Sequence, residues 1–244
     1  MRICRFEYSG SILTGVVEGE MVTTNEGALS GSYALAEVKL ISPVSPSKIV
    51  CIGRNYADHA KELGNEVPSE PLMFLKAPSA VIGSDESIVI PERSKRVEHE
   101  GELAVVIGRT CRTLDPEDDP FDYVFGFTCL NDVTARDLQR TDIQFTRAKS
   151  FDTFCPVGPF VETELDVSDI GVTTRVNDVV KQHGRTSQMV FPVDFLIRYI
   201  SNMMTLNAGD VIATGTPAGV SPLIAGDVCE IEIEGIRVLS NPVK

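Results

Sequence analysis

Polar and apolar residues alternate most regularly near the C-terminus. Cys229, Ile231 and Ile233 are interleaved with Glu230, Glu232 and Glu234, which predicts a strand with one buried and one wet face. Shorter apolar stretches predict further strands at Ile12–Val17, Val38–Ile41, Lys48–Gly53, Ile88–Pro91, Leu103–Ile107, Tyr123–Leu130 and Gly171–Asn177. One amphipathic helix stands out, because Phe195, Leu196, Tyr199, Ile200 and Met203 fall on one face. A short helix is predicted from Asn55 to Leu63, with Asn55 as N-cap and Gly64 just past its end. The proline-bearing stretch Ser42–Ser47 reads as a linker. It divides a small β-rich N-terminal unit, residues 1–45, from a main domain, 46–244. Gly-Asp-Val precedes two strands, at 209–211 and 226–228, which is a reused turn and not a repeat. The expected fold class is mostly β with a few helices (α+β), not an alternating βαβ protein.

Composition narrows the function classes. A chain of 244 residues with 43% apolar content can bury a real core. A net charge of −13 argues against a nucleic-acid partner, which needs clustered Lys and Arg. The cysteines at 4, 51, 111, 129, 155 and 229 form neither a zinc pattern nor a small disulfide framework. The N-terminal residues lack the apolar region of a signal peptide, and no apolar run approaches membrane-spanning length. A cytoplasmic protein with reduced thiols and no membrane partner is expected.

The chemistry concentrates around Val97-Glu98-His99-Glu100-Gly101-Glu102-Leu103. In an extended chain residues i and i+2 share a side, so Glu100 and Glu102 project together. Two carboxylates at the edge of a core repel unless a cation lies between them or one is protonated. Hard oxygen ligands suit Mg²⁺, Mn²⁺ or Ca²⁺ better than Zn²⁺. A solvated strand face with Glu98 continuing the row is the competing reading. Asp132 follows an apolar strand and precedes a short polar helix, which fits an N-cap or a third metal ligand.

His59 and Glu62, three apart on the first helix, are neighbours on one face. A carboxylate beside an imidazole fixes its tautomer and raises its basicity, as a water-activating base requires, although exposed helices carry many such pairs. Lys149 fits either an ordinary exposed lysine or a cation facing a cleft, where it could meet a substrate carboxylate or an oxyanion. The Thr214–Val220 loop lacks the lysine and spacing of a phosphate loop, but its glycines permit close approach and Thr216 offers a hydroxyl. His99 lies beside the glutamates and His183 in a glycine-flanked loop; neither receives a role.

Six blocks in order resemble the fumarylacetoacetate hydrolase family, from about Lys48 to the end of the chain. They are Ile52-Gly53-Arg54-Asn55-Tyr56-Ala57-Asp58-His59, Phe74-Leu75-Lys76, His99 to Leu103, Asn131 to Asp137, Ala148 to Asp152, and Gly209 to Val220. The resemblance implies a mixed β-roll or β-sandwich catalytic domain, usually dimeric. It implies Mg²⁺ or Mn²⁺ held by Glu100, Glu102 and Asp132, water activation by His59 and Glu62, and enolate stabilisation by Lys149. It places Arg54, Tyr56, Lys76, Arg136, Gln139 and Thr216 at substrate-contacting positions. The compact length and the Gly-Arg-Asn-Tyr-Ala-Asp-His motif are most similar to the acylpyruvase branch. The activity then expected is hydrolysis of a carbon–carbon bond in a small anionic keto acid of the acylpyruvate or fumarylpyruvate type. Alternatives on the same site are oxaloacetate decarboxylation and isomerisation or decarboxylation of 2-hydroxyhepta-2,4-diene-1,7-dioate-type compounds in aromatic catabolism. A non-catalytic binding module of the same fold is the alternative of another class.

Overall fold

A computed structural model describes residues 1–244 and gives a mostly β protein with four α-helices, as the apolar pattern predicts. A mixed sheet of twelve strands forms the backbone of the molecule, and a four-stranded antiparallel sheet packs across one of its faces. At the centre of the large sheet the Gly101–Ile107 strand pairs antiparallel with Val124–Asn131 on one side and with Val211–Ala213 on the other.

That central strand is buried along its whole length, which explains its unbroken apolar run. Leu103, Val105 and Ile107 enter the larger core, against Val172, Ile231 and Ile233 of the second sheet and Leu196 and Ile200 of the Val193–Met203 helix. Ala104 and Val106 enter a smaller core on the opposite face with Ile49, Leu130 and Val157. The side-chain period of two therefore places Glu100 and Glu102 in the row of Ala104 and Val106, at its open end. A Cβ on Gly101, between them, would stand 2.2 Å from Thr174 Oγ1, so glycine lets the second sheet close over this strand.

The N-terminal strands join the same large sheet, since Arg2–Tyr8 pairs with Cys155–Glu162, and a small core around Phe6 and Phe160 seals the junction. The Ser42–Ser47 stretch joins the two parts and is itself packed. Ser42 and Val44 are buried, and Ser47 and Lys48 both donate to the fully buried carboxylate of Asp210. Ile88–Pro91 forms no regular strand; it runs beside the C-terminus, held by hydrogen bonds to Pro242 and Lys244 around one isolated bridge to Val243. The short helix is Ala57–Glu62. Asn55 does not cap it, because its amide is drawn away to the Phe191 and Thr214 carbonyls and the Phe191 N–H. His183 sits on the Val179–Arg185 strand and not in a loop. All six cysteines are buried and unpaired, and no helix is long and apolar enough to cross a membrane.

Asp210 gives this architecture a testable acid dependence. Burial raises its carboxyl pKa, but Lys48, Ser47 and the Asn207 N–H outweigh that and hold it below the ordinary value of 3.8. A lowered folded-state pKa contributes stability that is complete above the unfolded value and lost as pH falls through the folded one. Asp210→Ala should cost about 3 kcal/mol in urea unfolding at pH 7, because several donors lose a buried partner. The deficit should shrink below about pH 4, where the wild-type carboxyl itself protonates. A deficit unchanged between pH 7 and pH 3 would contradict the charge-based account.

Candidate active site

Glu100, Glu102 and Asp132 converge at the end of the central strand pair. Leu130 stands opposite Glu102 in the register, and two residues further the Asp132 N–H donates to the Glu100 carbonyl at 2.8 Å. Asn131 pins this corner by accepting the Glu100 N–H at 3.0 Å. Asp132 is thus not a helix N-cap; Ala135 occupies that position for Arg136–Thr141. The three carboxylates are all buried, and ligand atoms from each lie within 4.8 Å of one another.

Cations surround the trio. Lys149 Nζ donates to Glu100 Oε2 at 2.8 Å and to Asp132 Oδ2 at 2.6 Å, so its third N–H remains for the cavity. Lys76 Nζ holds the other Asp132 oxygen at 2.6 Å. Arg136 donates to Glu98, Glu100 and Gln139, each at 2.6 Å. Burial pushes the Glu100 carboxyl up, but the Lys149 and Arg136 charges outweigh it and hold Glu100 well below the usual range. Glu102 goes the other way, raised by burial and then by the negative charges of Asp132 and Glu100. Only the Gly215 N–H, at 2.7 Å, donates to Glu102 from within the protein.

The donor set fits a hard divalent cation. Within the trio, Asp132 is paired with Lys76 and Lys149 and Glu100 with Arg136 and Lys149, whereas Glu102 has no basic partner. An ionised Glu102 is therefore the carboxylate left without a counter-charge. A divalent ion beside Glu102 would supply it and leave positive charge for an anionic substrate.

A cavity of about 210 Å³ opens onto this cluster. Its walls include Glu100, Glu102, Asp132, Lys149, Arg136, Gln139, Thr216, Arg54 and His59. His59 is buried, and its Nδ1 lies 3.3 Å from Glu62 Oε2. Glu62 also accepts the Gly219 N–H at 3.1 Å, which ties the short helix to the Thr214–Val220 loop. An ionised Glu62 can only accept, so Nδ1 carries a proton, and in the neutral ring the lone pair lies on Nε2. Lys76 and Tyr56 do not line the cavity. Lys76 stands behind Asp132, while the Tyr56 hydroxyl is buried without a partner and its pKa is raised by burial and by Glu102.

The chain matches the family described as fumarylacetoacetate (FAA) hydrolase C-terminal over residues 48–244, and the Rv2993c-like N-terminal family over residues 1–43. It belongs to the fumarylacetoacetate hydrolase family. Among its relatives is an oxaloacetate tautomerase of Bacillus subtilis, 41% identical over 96% of this chain and 86% of that protein. The crystal structure of a 5-carboxymethyl-2-hydroxymuconate delta-isomerase from Mycobacterium smegmatis superposes with a TM-score of 0.92. It is 42% identical and covers 100% of this chain and 98% of that one. A maleylpyruvate hydrolase from Sphingobium sp. SYK-6 is 33% identical, with a TM-score of 0.84 over 100% of this chain and 99% of that one. The named activities of these family relatives thus span tautomerase, isomerase and hydrolase.

Besides Arg140 on the cavity wall, sequence reasoning missed Gln182. Fully buried, its Oε1 accepts from the Gly101 N–H at 3.0 Å, Thr174 Oγ1 at 2.9 Å and His99 Nδ1 at 3.1 Å. Its Nε2 donates to Thr216 Oγ1 at 2.7 Å and to the Pro217 carbonyl at 2.6 Å. An amide oxygen only accepts, so His99 carries its proton on Nδ1, and its Nε2 accepts a hydrogen bond from the Ser221 hydroxyl, 2.8 Å away. Burial lowers the His99 pKa, consistent with a neutral structural ring. One side chain therefore locks the glutamate strand to the loop that supplies Thr216, Gly215 and Gly219. A signal for it exists in the spacing: Gly184, two residues on, shares its buried face and has Pro217 against it. Gln182→Leu, similar in size but unable to hydrogen-bond, should cost on the order of 3 kcal/mol in urea unfolding. A loss below about 1 kcal/mol would show that the network carries little.

Proposed function

We propose that this protein is a divalent-metal-dependent enzyme acting on small 2-keto acids by proton transfer beside the keto group, interconverting keto and enol forms. One observation carries the proposal: the buried Glu100–Glu102–Asp132 trio and Lys149 share a cavity with the His59–Glu62 pair. The relatives named as an oxaloacetate tautomerase and a hydroxymuconate isomerase support the same chemistry.

Glu100, Glu102 and Asp132 would hold Mg²⁺ or Mn²⁺. When bound, such an ion supplies Lewis acidity that polarises the substrate's keto oxygen. His59, oriented by Glu62, removes a proton from C3 through Nε2, and the C–H electron pair becomes the C2–C3 double bond. The keto oxygen then bears the negative charge, and the remaining Lys149 N–H donates to it. Returning the proton to that oxygen gives the enol; the reverse order restores the ketone. Lys149 keeps its charge throughout, because the neighbouring Asp132 and Glu100 outweigh its burial and raise its pKa.

Hydrolysis of a 2,4-dioxo acid is the second reading, favoured by the same free Nε2. There it would deprotonate a water attacking the 4-carbonyl, and the enol-forming half would serve as the leaving group. The two readings share Lys149 and differ in what His59 deprotonates.

Enol–keto conversion of oxaloacetate, followed by enol absorbance, tests the proposal beside hydrolysis of acetylpyruvate and fumarylpyruvate. Conversion of oxaloacetate should require Mg²⁺ or Mn²⁺, stop in EDTA, and fall by a factor on the order of 10² or more in His59→Ala. Metal-dependent hydrolysis without any acceleration of oxaloacetate conversion would replace the first reading by the second. No turnover of any of the three would remove both.

A further inference from the structure

The basic groups deepest in the cavity are committed to the protein's own carboxylates. Lys149 is shared by Glu100 and Asp132, and Arg136 by Glu98 and Glu100. Two other arginines face the same cavity without such commitments. Arg54, half-buried, and Arg140, exposed at the end of the Arg136–Thr141 helix, make no hydrogen bond or ion pair with any group of the chain. With 35 acidic residues against 22 basic ones, carboxylates are abundant partners, yet two arginines that line one small cavity remain without any.

The backbone at Arg54 adds an independent observation. Its φ of 59° lies in the left-handed region, which is costly for a residue with a Cβ. The next residue enforces it. Asn55 is fixed by its amide to the Phe191 and Thr214 carbonyls, at 3.0 and 2.7 Å, and by the Phe191 N–H, at 2.8 Å. Strain that the surroundings hold in place at a cavity wall points to a placed side chain.

We propose that Arg54 and Arg140 receive a second carboxylate of the substrate, making the protein selective for keto dicarboxylates over monocarboxylates of equal length. The inference rests on the reading that the cavity takes a 2-keto acid. It adds that the first carboxylate lies toward Lys149 and the carboxylate trio, with the distal one toward the mouth. Guanidinium suits that role because its planar fork matches a carboxylate and keeps its charge at any physiological pH.

The test uses two stable probes that differ in the distal group alone, malate and 2-hydroxybutanoate, titrated calorimetrically into Mg²⁺-saturated protein. Wild type should bind malate at least about 10-fold more tightly, the scale of one charge-assisted hydrogen-bonded pair. Arg140→Leu and Arg54→Leu should each lower that preference several-fold, and the double variant should bring it near unity. Arg140→Lys should retain part of it. Should Arg54→Leu fail to fold, the exposed Arg140 carries the test alone. Equal affinities in wild type, or a preference that survives in Arg140→Leu, would overturn this inference while leaving the keto-acid reading intact. Binding of neither probe would overturn both.

Discussion

Three carboxylates buried within 4.8 Å of one another set the terms for the rest of this protein. At that spacing and an effective dielectric of about 20, each pair of ionised groups repels by roughly 3 kcal/mol. Summed over the trio, this rivals the whole stability of a typical domain, roughly 5–15 kcal/mol. The fold answers with buried counter-charges: Lys76 and Lys149 on Asp132, Lys149 and Arg136 on Glu100. Glu102 alone has no cation within salt-bridge distance. Its remaining donor is a backbone N–H on Gly215, a residue whose φ of 99° brings that group into reach. The imbalance is local, and it faces a cavity sized for a small acid.

Rigidity follows from the same requirement. Opposed charges stabilise the site only if their geometry is held, and here each is anchored to a different element. Glu102 stands on a strand with core on both faces and Glu100 just before it, Asp132 just past the end of its neighbour, Lys76 on the Leu72–Lys76 strand and Lys149 on the Thr146–Lys149 helix. Gln182 and His99 bind the second sheet and the Thr214–Val220 loop to the glutamate strand. Through Gly219 that loop reaches Glu62, so the base pair is referenced to the same frame as the acidic cluster.

Much of this was legible in the amino-acid sequence, for physical reasons that differ by residue. The Cys229–Glu234 alternation and the Leu103–Ile107 run predict their strands because burial of one face or two leaves different periodicities. The placement of Glu100 and Glu102 on one side follows from strand geometry alone. That Asp132 and Lys149 lie beside them required the family resemblance, since each is brought in by long-range pairing. Gln182 was missed because the spacing to Gly184, its one trace in a polar-looking strand, does not reveal its five buried bonds. At Ser42–Ser47 the prolines mark the break in regular structure but do not reveal that the segment packs. Asn55 misled: an asparagine before a helix fits an N-cap, and only the fold reveals the competing carbonyls.

A divalent cation should occupy the Glu100–Glu102–Asp132 cluster. Anomalous diffraction from crystals grown with Mn²⁺ tests it without recourse to any substrate. One manganese peak liganded by these three carboxylates is expected. The absence of a peak there at saturating Mn²⁺, with Lys149 still bridging Glu100 and Asp132, would contradict it.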